Sequence, residues 1–373
     1  MASEGLSERA RRPIGDGGTL PSSALAGGRQ HGRRAVPALL VATVLLVVAV
    51  LLGVGVGTIG LPPGRVVATL LEHVGVHVGT PLHGVEEQIL LQLRLPRVLL
   101  VALVGACLAV AGASYQGVFR NPLADPYLLG SAAGAGLGAT LVIAYAPTTA
   151  GPIGTVPAAA FVGALAGVGL AYLLGTAASR AGAAGGTATL LLAGVAVASF
   201  LTAIQTFVQQ AHADDLRAVY SWILGQLGGA SWQQIGQVLP YAAVSALVLL
   251  GSSRALDVLA VGDDEATTLG LHPRRVRLVI LAAASLATAA AVAVSGLIGF
   301  VGLVVPHIVR RLAGGSYRVV VPVSLVGGGA FLVLADLIAR TVVAPGELPI
   351  GVVTAFVGAP FFAALLRLGG DRG

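Results

Sequence analysis

Ten long apolar runs separated by short polar stretches constrain this chain more than any other feature. They lie at about Val36–Gly57, Leu95–Phe119, Leu128–Tyr145, Val156–Ala178, Thr189–Gln209, Ile235–Leu250, Val276–Val294, Gly299–Leu312, Val319–Val343 and Pro349–Arg367. A helix needs about 20 apolar residues to cross the hydrocarbon of a bilayer. Inside lipid every backbone N–H and C=O must find a partner, so only helices and closed barrels can span it. Charged side chains make up 10% of the chain, against about 25% in soluble domains. The expectation is an all-α, polytopic membrane protein of about ten transmembrane helices, with no room for a large soluble domain. Gly299–Leu312 is the shortest run, and its length suits a buried or broken helix as well as a full crossing.

Charge sets the expected orientation. Every one of the 22 basic residues is arginine, and 16 acidic residues leave a net charge of +6. For a membrane protein this excess marks where loops lie and is no sign of nucleic-acid binding. Residues 1–34 hold Arg9, Arg11, Arg12, Arg29, Arg33 and Arg34 among Gly, Ser and Pro, a composition too poor in apolar side chains to build a core. This stretch reads as a disordered cytoplasmic tail, followed by a transmembrane domain over 35–373. An export signal is disfavoured, because Val36–Gly57 exceeds the usual 7–15-residue apolar core of a signal peptide. With the tail inside and ten crossings, seventeen arginines fall inside and five outside, as the positive-inside rule requires. Both termini are then cytoplasmic.

The lone Cys107 excludes an intramolecular disulfide and a cysteine-rich metal site. No metal site or cofactor is expected. Without lysine the chain also cannot carry a phosphate-binding loop of the G-x-x-x-x-G-K-[ST] type, so any ATP that drives it is hydrolysed by another subunit. An internal echo recurs at an offset of 184 residues, with Val110, Gly112, Pro122 and Gly130 answered by Val294, Gly296, Pro306 and Gly314. Five expected spans separate the copies, so the second crosses in the opposite sense, the pattern of an inverted repeat.

Several polar stretches invite function. Residues 256–277 (LDVLAVGDDEATTLGLHPRRVR) are too charged for lipid. There Asp263 or Asp264 is placed to cap a helix, Glu265 suits its positive end, and Gly270 is placed to stop it. A helix of two turns is marginal alone, so it is either a solvated connection or a knob that transmits force from a partner. In FRNPLADPYLLG, Pro122 and Pro126 force a turn, and Asn121 and Asp125 can satisfy the freed backbone. A structural turn is preferred there to substrate contact. Pro306 and His307 hold the echoed place, where a packed histidine is preferred to a proton relay. At the expected outer face stand Arg94, Arg97 and Arg340. Snorkelling accounts for all three, and an i,i+4 pair with Asp336 accounts for Arg340. Asp214–Gly225, with its Tyr220/Trp222 pair, reads as a short interfacial helix with a capped start.

Four segments together carry a resemblance: RLPRVLLVALVGACLAVAGASYQGVFRNPLADPYLLG, LAVGDDEATTLGL, GLIGFVGLVVPHIVRRLAG and LADLIARTVVAPGELPIGVVTAFVGAPFF. In order, they resemble the permease subunits of bacterial ABC importers for iron–siderophores, haem and cobalamin, over about Val36 to Leu368. The resemblance implies two permease copies, identical or homologous, enclosing one path in the cytoplasmic membrane. It implies a cytosolic ABC ATPase dimer and an extracytoplasmic substrate-binding protein as partners. It makes Gly262, Asp263, Glu265, Ala266, Leu269 and Gly270 the ATPase-coupling element, and Arg94, Arg97 and Arg340 the docking site for the binding protein. Asn121, Pro122, Asp125, Pro306 and His307 are the weaker candidates for the path or its gate. No residue is assigned catalysis. Ferric siderophore is the cargo expected first, with haem and cobalamin as alternatives. An ion-coupled secondary transporter is the rival that the inverted echo alone would permit, although mid-membrane ionisable groups are scarce.

Overall fold

The computed structural model describes residues 22–57, 60–146, 154–181, 187–225 and 227–370. Fourteen helices occupy these residues: α1 Ser22–Gly55, α2 Pro63–Glu72, α3 Val85–Phe119, α4 Ser131–Tyr145, α5 Thr155–Arg180, α6 Thr187–Ala211, α7 Leu216–Ile223, α8 Trp232–Gly251, α9 Ser253–Val261, α10 Asp263–Thr268, α11 Pro273–Ser295, α12 Val301–Ala313, α13 Tyr317–Thr341 and α14 Ile350–Gly370. No strand occurs among the described residues. The expected all-α fold is observed, and each of the ten apolar runs coincides with a helix. Seven helices are long and apolar enough to cross a bilayer: α1, α3, α5, α6, α8, α11 and α13. The other three, α4, α12 and α14, are shorter apolar helices or less hydrophobic.

The core sits on α3, α11 and α13, whose apolar windows are 78%, 72% and 67% buried, whereas α1 is 11% buried. Helix α3 packs against both α13 and α11, α1 lies on α13, and α4, α5 and α6 form a second packed group that reaches α11 through α5. Close approach comes from small residues, because tight packing without a layer of side chains is what holds helices together in lipid. A methyl group on Gly112 would overlap the Gly302 carbonyl, and one on Gly105 the Gly328 carbonyl. Thus α3 meets α12 and α13 almost backbone to backbone.

Three local departures shape the bundle. Before Pro96 the chain forms a π turn over Ile89–Arg94. A proline removes one helical hydrogen bond and crowds the preceding turn, and a widened turn accommodates it. The third apolar run starts later than expected, at Ser131 rather than Leu128. Asp125 accepts from the Tyr127 N–H at 2.8 Å, a 3-10 turn covers Pro126–Leu129, and Gly130 takes φ +80°. Between α11 and α12 the chain unwinds at Gly296 (φ +70°) and Phe300 (φ +68°). Protein groups meet several of its polar atoms: Leu297 donates to the Ile223 carbonyl, and the Tyr127 hydroxyl accepts from Ile298 N–H at 3.1 Å and donates to Ile298 C=O at 3.0 Å. Non-helical backbone inside an apolar bundle requires this satisfaction by protein groups, and the break explains why α12 is short.

Two expectations need correction. Residues 1–21 of the supposed disordered tail lie outside the described residues, but 22–34 belong to α1. Extending an established helix adds a hydrogen bond for each residue fixed. The echo's matched positions also differ in local conformation, whatever the sense in which the two copies cross. Gly112 and Pro122 lie in mid-helix and in a turn, whereas Gly296 follows the end of α11 and Pro306 lies inside α12. Val110 and Val294 both lie inside helices, and Gly130 and Gly314 share a role, each at positive φ beside a helix end.

Candidate functional site

The residues singled out from the sequence gather at the two ends of α3. Arg97 and Arg120 are separated by 23 residues of this helix and its last turn, so the two clusters are about 35 Å apart at 1.5 Å per residue.

At the Arg97 end the structure unites all three arginines. The Arg97 guanidinium is clasped by Asp336 (Nη2 to Oδ1, 2.9 Å) and by both oxygens of Glu347 (2.8 and 2.9 Å). Arg340 contacts Asp336 (Nε to Oδ2, 3.2 Å), the i,i+4 pair expected, and donates to the Gly53 carbonyl. Arg94 donates to the carbonyls of Val54 and Gly55, each at 3.0 Å. These bonds tie the last turn of α1, whose carbonyls lack helical partners, to α3 and α13. The Arg97 and Glu347 pairing holds the Glu347 carboxyl below its ordinary range, hydrogen bonding outweighing partial burial. Arg94 and Arg340 are 7% and 9% exposed, each engaged within this chain. The half-exposed Glu347 is the accessible edge of the cluster, with Arg97 (13% exposed) directly behind it. Across these five side chains, three positive and two negative charges leave one positive charge.

At the other end lies the 256–277 segment. Helix α10 has the expected length and ends as expected: Gly270 (φ +80°) donates to Thr267 C=O and Leu271 to Ala266 C=O, the double closure of a Schellman end. Its start differs. The Asp263 side chain makes no capping bond and instead takes a two-pronged contact from Arg277 (Nη1 to Oδ2, 2.7 Å) and another from Arg120. Two opposite charges offer a carboxylate more than one backbone N–H does. Arg277 first, and then Arg120, holds the Asp263 carboxyl below the usual carboxylate range. Arg120 also donates from Nε to Leu259 C=O at 2.7 Å. In the preceding α9, Asp257 receives the Tyr317 N–H at 2.5 Å and the Ser316 hydroxyl at 2.8 Å, capping α13. Ala266 of α10 is fully buried, while Val261 and Leu269 are 72% and 69% exposed. The segment is therefore a knob with an apolar tip, pinned through one carboxylate to the ends of α3 and α11.

The remaining candidates are structural in this state. Asn121 accepts from Leu123 N–H at 2.9 Å and Asp125 from Tyr127 N–H, the roles expected of a turn; Pro122 is exposed in that turn. Burial pushes the Asp125 carboxyl up to about 6. Pro306 is buried inside α12, and His307 stands edge-on to Phe361 with centroids 5.8 Å apart. Among the described residues no hydrogen bond or ion pair joins these five to one another. Asp214–Gly225 does contain the expected short helix, α7, but without a side-chain cap. Its C-terminal carbonyls receive Leu297 and Gly351, so it is knitted to the α11–α12 break and to α14. No sequence signal marks Glu347, Arg120 or Tyr127 as linking residues, because each acts on a segment more than 100 positions away.

The FecCD transport family model matches residues 45–368. The chain belongs to the FecCD transport family. It is similar to the cobalamin import system permease BtuC of Halobacterium salinarum, 45% identical over 275 residues that cover 74% of this chain and 72% of the relative. It is also similar to the Fe(3+)-citrate import system permease YfmE of Bacillus subtilis, 34% identical over 90% of this chain and 96% of the relative. Among solved structures, an inward-facing ABC transporter assigned to the metal-chelate type aligns with TM-score 0.74 at 28% identity, covering 88% of this chain and 98% of the other. The FecCD chain is thus a multi-pass membrane permease of the ABC importer class.

Proposed function

We propose that this permease carries a bulky metal chelate across the cytoplasmic membrane in ten crossings, both termini inside, with ATP hydrolysed by a separate ATPase dimer. The observation that carries the coupling assignment is the pinned knob. Gly262, Asp263, Glu265, Ala266, Leu269 and Gly270 form a helix whose exposed Leu269 tip suits a groove on the ATPase, while Asp263 passes displacement to α3 and α11. Helices α3 and α13 each run from this cluster to the arginine cluster, through Arg120 and Arg97 in one and through Tyr317 and Arg340 in the other. Motion of the knob therefore reaches the opposite face through two of the best-packed helices.

At that face, Arg97, in a cluster that carries one net positive charge, is the docking element for acidic residues of an extracytoplasmic binding protein. Arg94 and Arg340 stand behind it as supports. Two permeases, identical or homologous, enclose the path, and the turn at Asn121, Pro122 and Asp125 with Pro306 and His307 borders its gate. Replacing Arg97 by Gln should weaken binding-protein docking while ATPase assembly persists; unchanged docking would remove Arg97 from the interface.

Ferric siderophore is the cargo expected from the sequence, and cobalamin is the second reading, favoured by the 45% identity to a cobalamin permease. Gene deletion followed by uptake of labelled ferric siderophores, haem and cobalamin, with restoration from a plasmid copy, separates them. Loss of cobalamin uptake alone would replace the siderophore assignment, and uptake by the isolated permease in liposomes on an ion gradient alone would overturn the ABC mechanism.

A further inference from the structure

A cavity of about 370 Å³ opens between α5, α6 and α11, at the same end of the bundle as the coupling knob. Its rim carries Arg180, Arg274 and Arg277, and its walls are Tyr172, Leu190 and Leu281. Three cations at the ends of spans above an apolar slot make an amphipathic gradient, charged where headgroups lie and oily where acyl chains begin. Arg277 is committed to Asp263. The side chains of Arg180 and Arg274, both exposed residues, have no ion pair or hydrogen bond to any described residue. Among the hydroxyls on the wall, Thr176 and Ser179 already donate to the carbonyls of Leu173 and Gly175, so they can only accept. Thr187, at the start of α6, and Tyr172 have no side-chain hydrogen bond to any described residue, so both can donate.

These donors fit a phosphate that arrives with its own apolar tail. Like-charged arginines gathered at one cavity repel one another unless an anion joins them, and guanidinium forks match phosphate oxygens. Leucines directly below the arginines add nothing for a free inorganic anion but accept a hydrocarbon chain. We infer that this cavity binds the headgroup phosphate of an anionic phospholipid, held chiefly by Arg180 and Arg274, with its acyl chain on Leu190 and Leu281. Basic pockets between spans are used in this way on the cytoplasmic side of membranes. The assignment rests on the proposed orientation only for which leaflet supplies the lipid. Because Arg277 serves both the cavity rim and Asp263, a bound lipid lies one side chain from the coupling knob.

The test uses the full-length permease assembled with its ATPase in detergent, titrated with phosphatidylglycerol, phosphatidylcholine or inorganic phosphate and followed by native mass spectrometry. Phosphatidylglycerol should be retained and phosphatidylcholine lost, millimolar inorganic phosphate should not displace the lipid, and R180Q/R274Q should weaken retention at least about tenfold, a loss of two charge-assisted contacts. The R180K/R274K variant should restore most of the binding, which separates a lost charge from a damaged fold. Equal retention of both lipids, unchanged retention in R180Q/R274Q, or competition by phosphate at its own saturable site would each overturn the assignment. So would loss of the ATPase from R180Q/R274Q with lipid retention intact, which would make the arginines a subunit contact. None of these outcomes requires transport, so the inference can fail while the permease function stands.

Discussion

Asp263→Asn removes the charge that pins the knob while keeping the side chain's shape. In the structure Asp263 is about half exposed (47%), Arg120 is 38% exposed and Arg277 is 17% exposed. Pairs open to water are worth about 0.2–1 kcal/mol each, and the two-pronged Arg277 contact belongs at the upper end of that range. Together the two pairs contribute about 1–2 kcal/mol to holding α10 against α3 and α11, a factor of about 5–30 in the ratio of pinned to free knob. Reconstituted with its ATPase and binding protein, D263N should retain basal ATP hydrolysis while the cargo moved per ATP falls several-fold. The acid dependence has a definite sign. Arg277 and Arg120 depress the Asp263 carboxyl, so its contribution is full above the ordinary aspartate range and is lost only as pH falls through the lowered value. An unchanged cargo-to-ATP ratio in D263N, or a D263N/R277Q double-mutant cycle with no interaction energy, would refute the argument that this carboxylate transmits the movement.

Asp125 titrates in the opposite sense. Burial raises its carboxyl to about 6, so the folded state favours the protonated form, and the stability it contributes is present below about pH 4 and declines as pH rises to 6. D125N, which keeps the acceptor for Tyr127 N–H, should abolish that part of the change in Tm between pH 4 and 7. Asp336→Ala should destabilise by about 3–5 kcal/mol, read by thermal unfolding, because it leaves the buried Arg340 without its carboxylate, while Arg97 keeps only Glu347. Gly112→Ala, which drives a methyl into the Gly302 carbonyl, should cost about 1–3 kcal/mol. Gly169→Ala, with open space around it, should be neutral or slightly stabilising by the same measurement.

The helices were legible because length and apolarity are enough to demand a helix in lipid, and the end of α10 was legible because a glycine after a charged helical turn has few other uses. The arginine cluster was half legible. The spacing of Asp336 and Arg340 announces their pair, but the burial of Arg94 depends on the π turn before Pro96 and on where α1 ends. Asp263 looked like a cap from its local position, and Arg277, 14 residues on, with Arg120, 143 residues back, took it instead. Phe300 at positive φ could not be anticipated, since nothing in a non-glycine residue signals a left-handed backbone; its cause is the tertiary bonding of the residues around it. The echo misled for a related reason, as four matches among abundant Gly, Val and Pro carried no information on local conformation.

The hydroxyl of Tyr127 serves both backbone groups of Ile298, 171 residues further along the chain. In a polypeptide threaded into the bilayer from its N-terminus, the turn that carries Tyr127 is made long before the α11–α12 break emerges. The later segment therefore meets a ready donor and acceptor, and it can unwind inside lipid only where that earlier turn receives it. Assembly order is thereby written into a single side chain: Tyr127→Phe would leave the early helices free to form yet deprive the late break of its landing place.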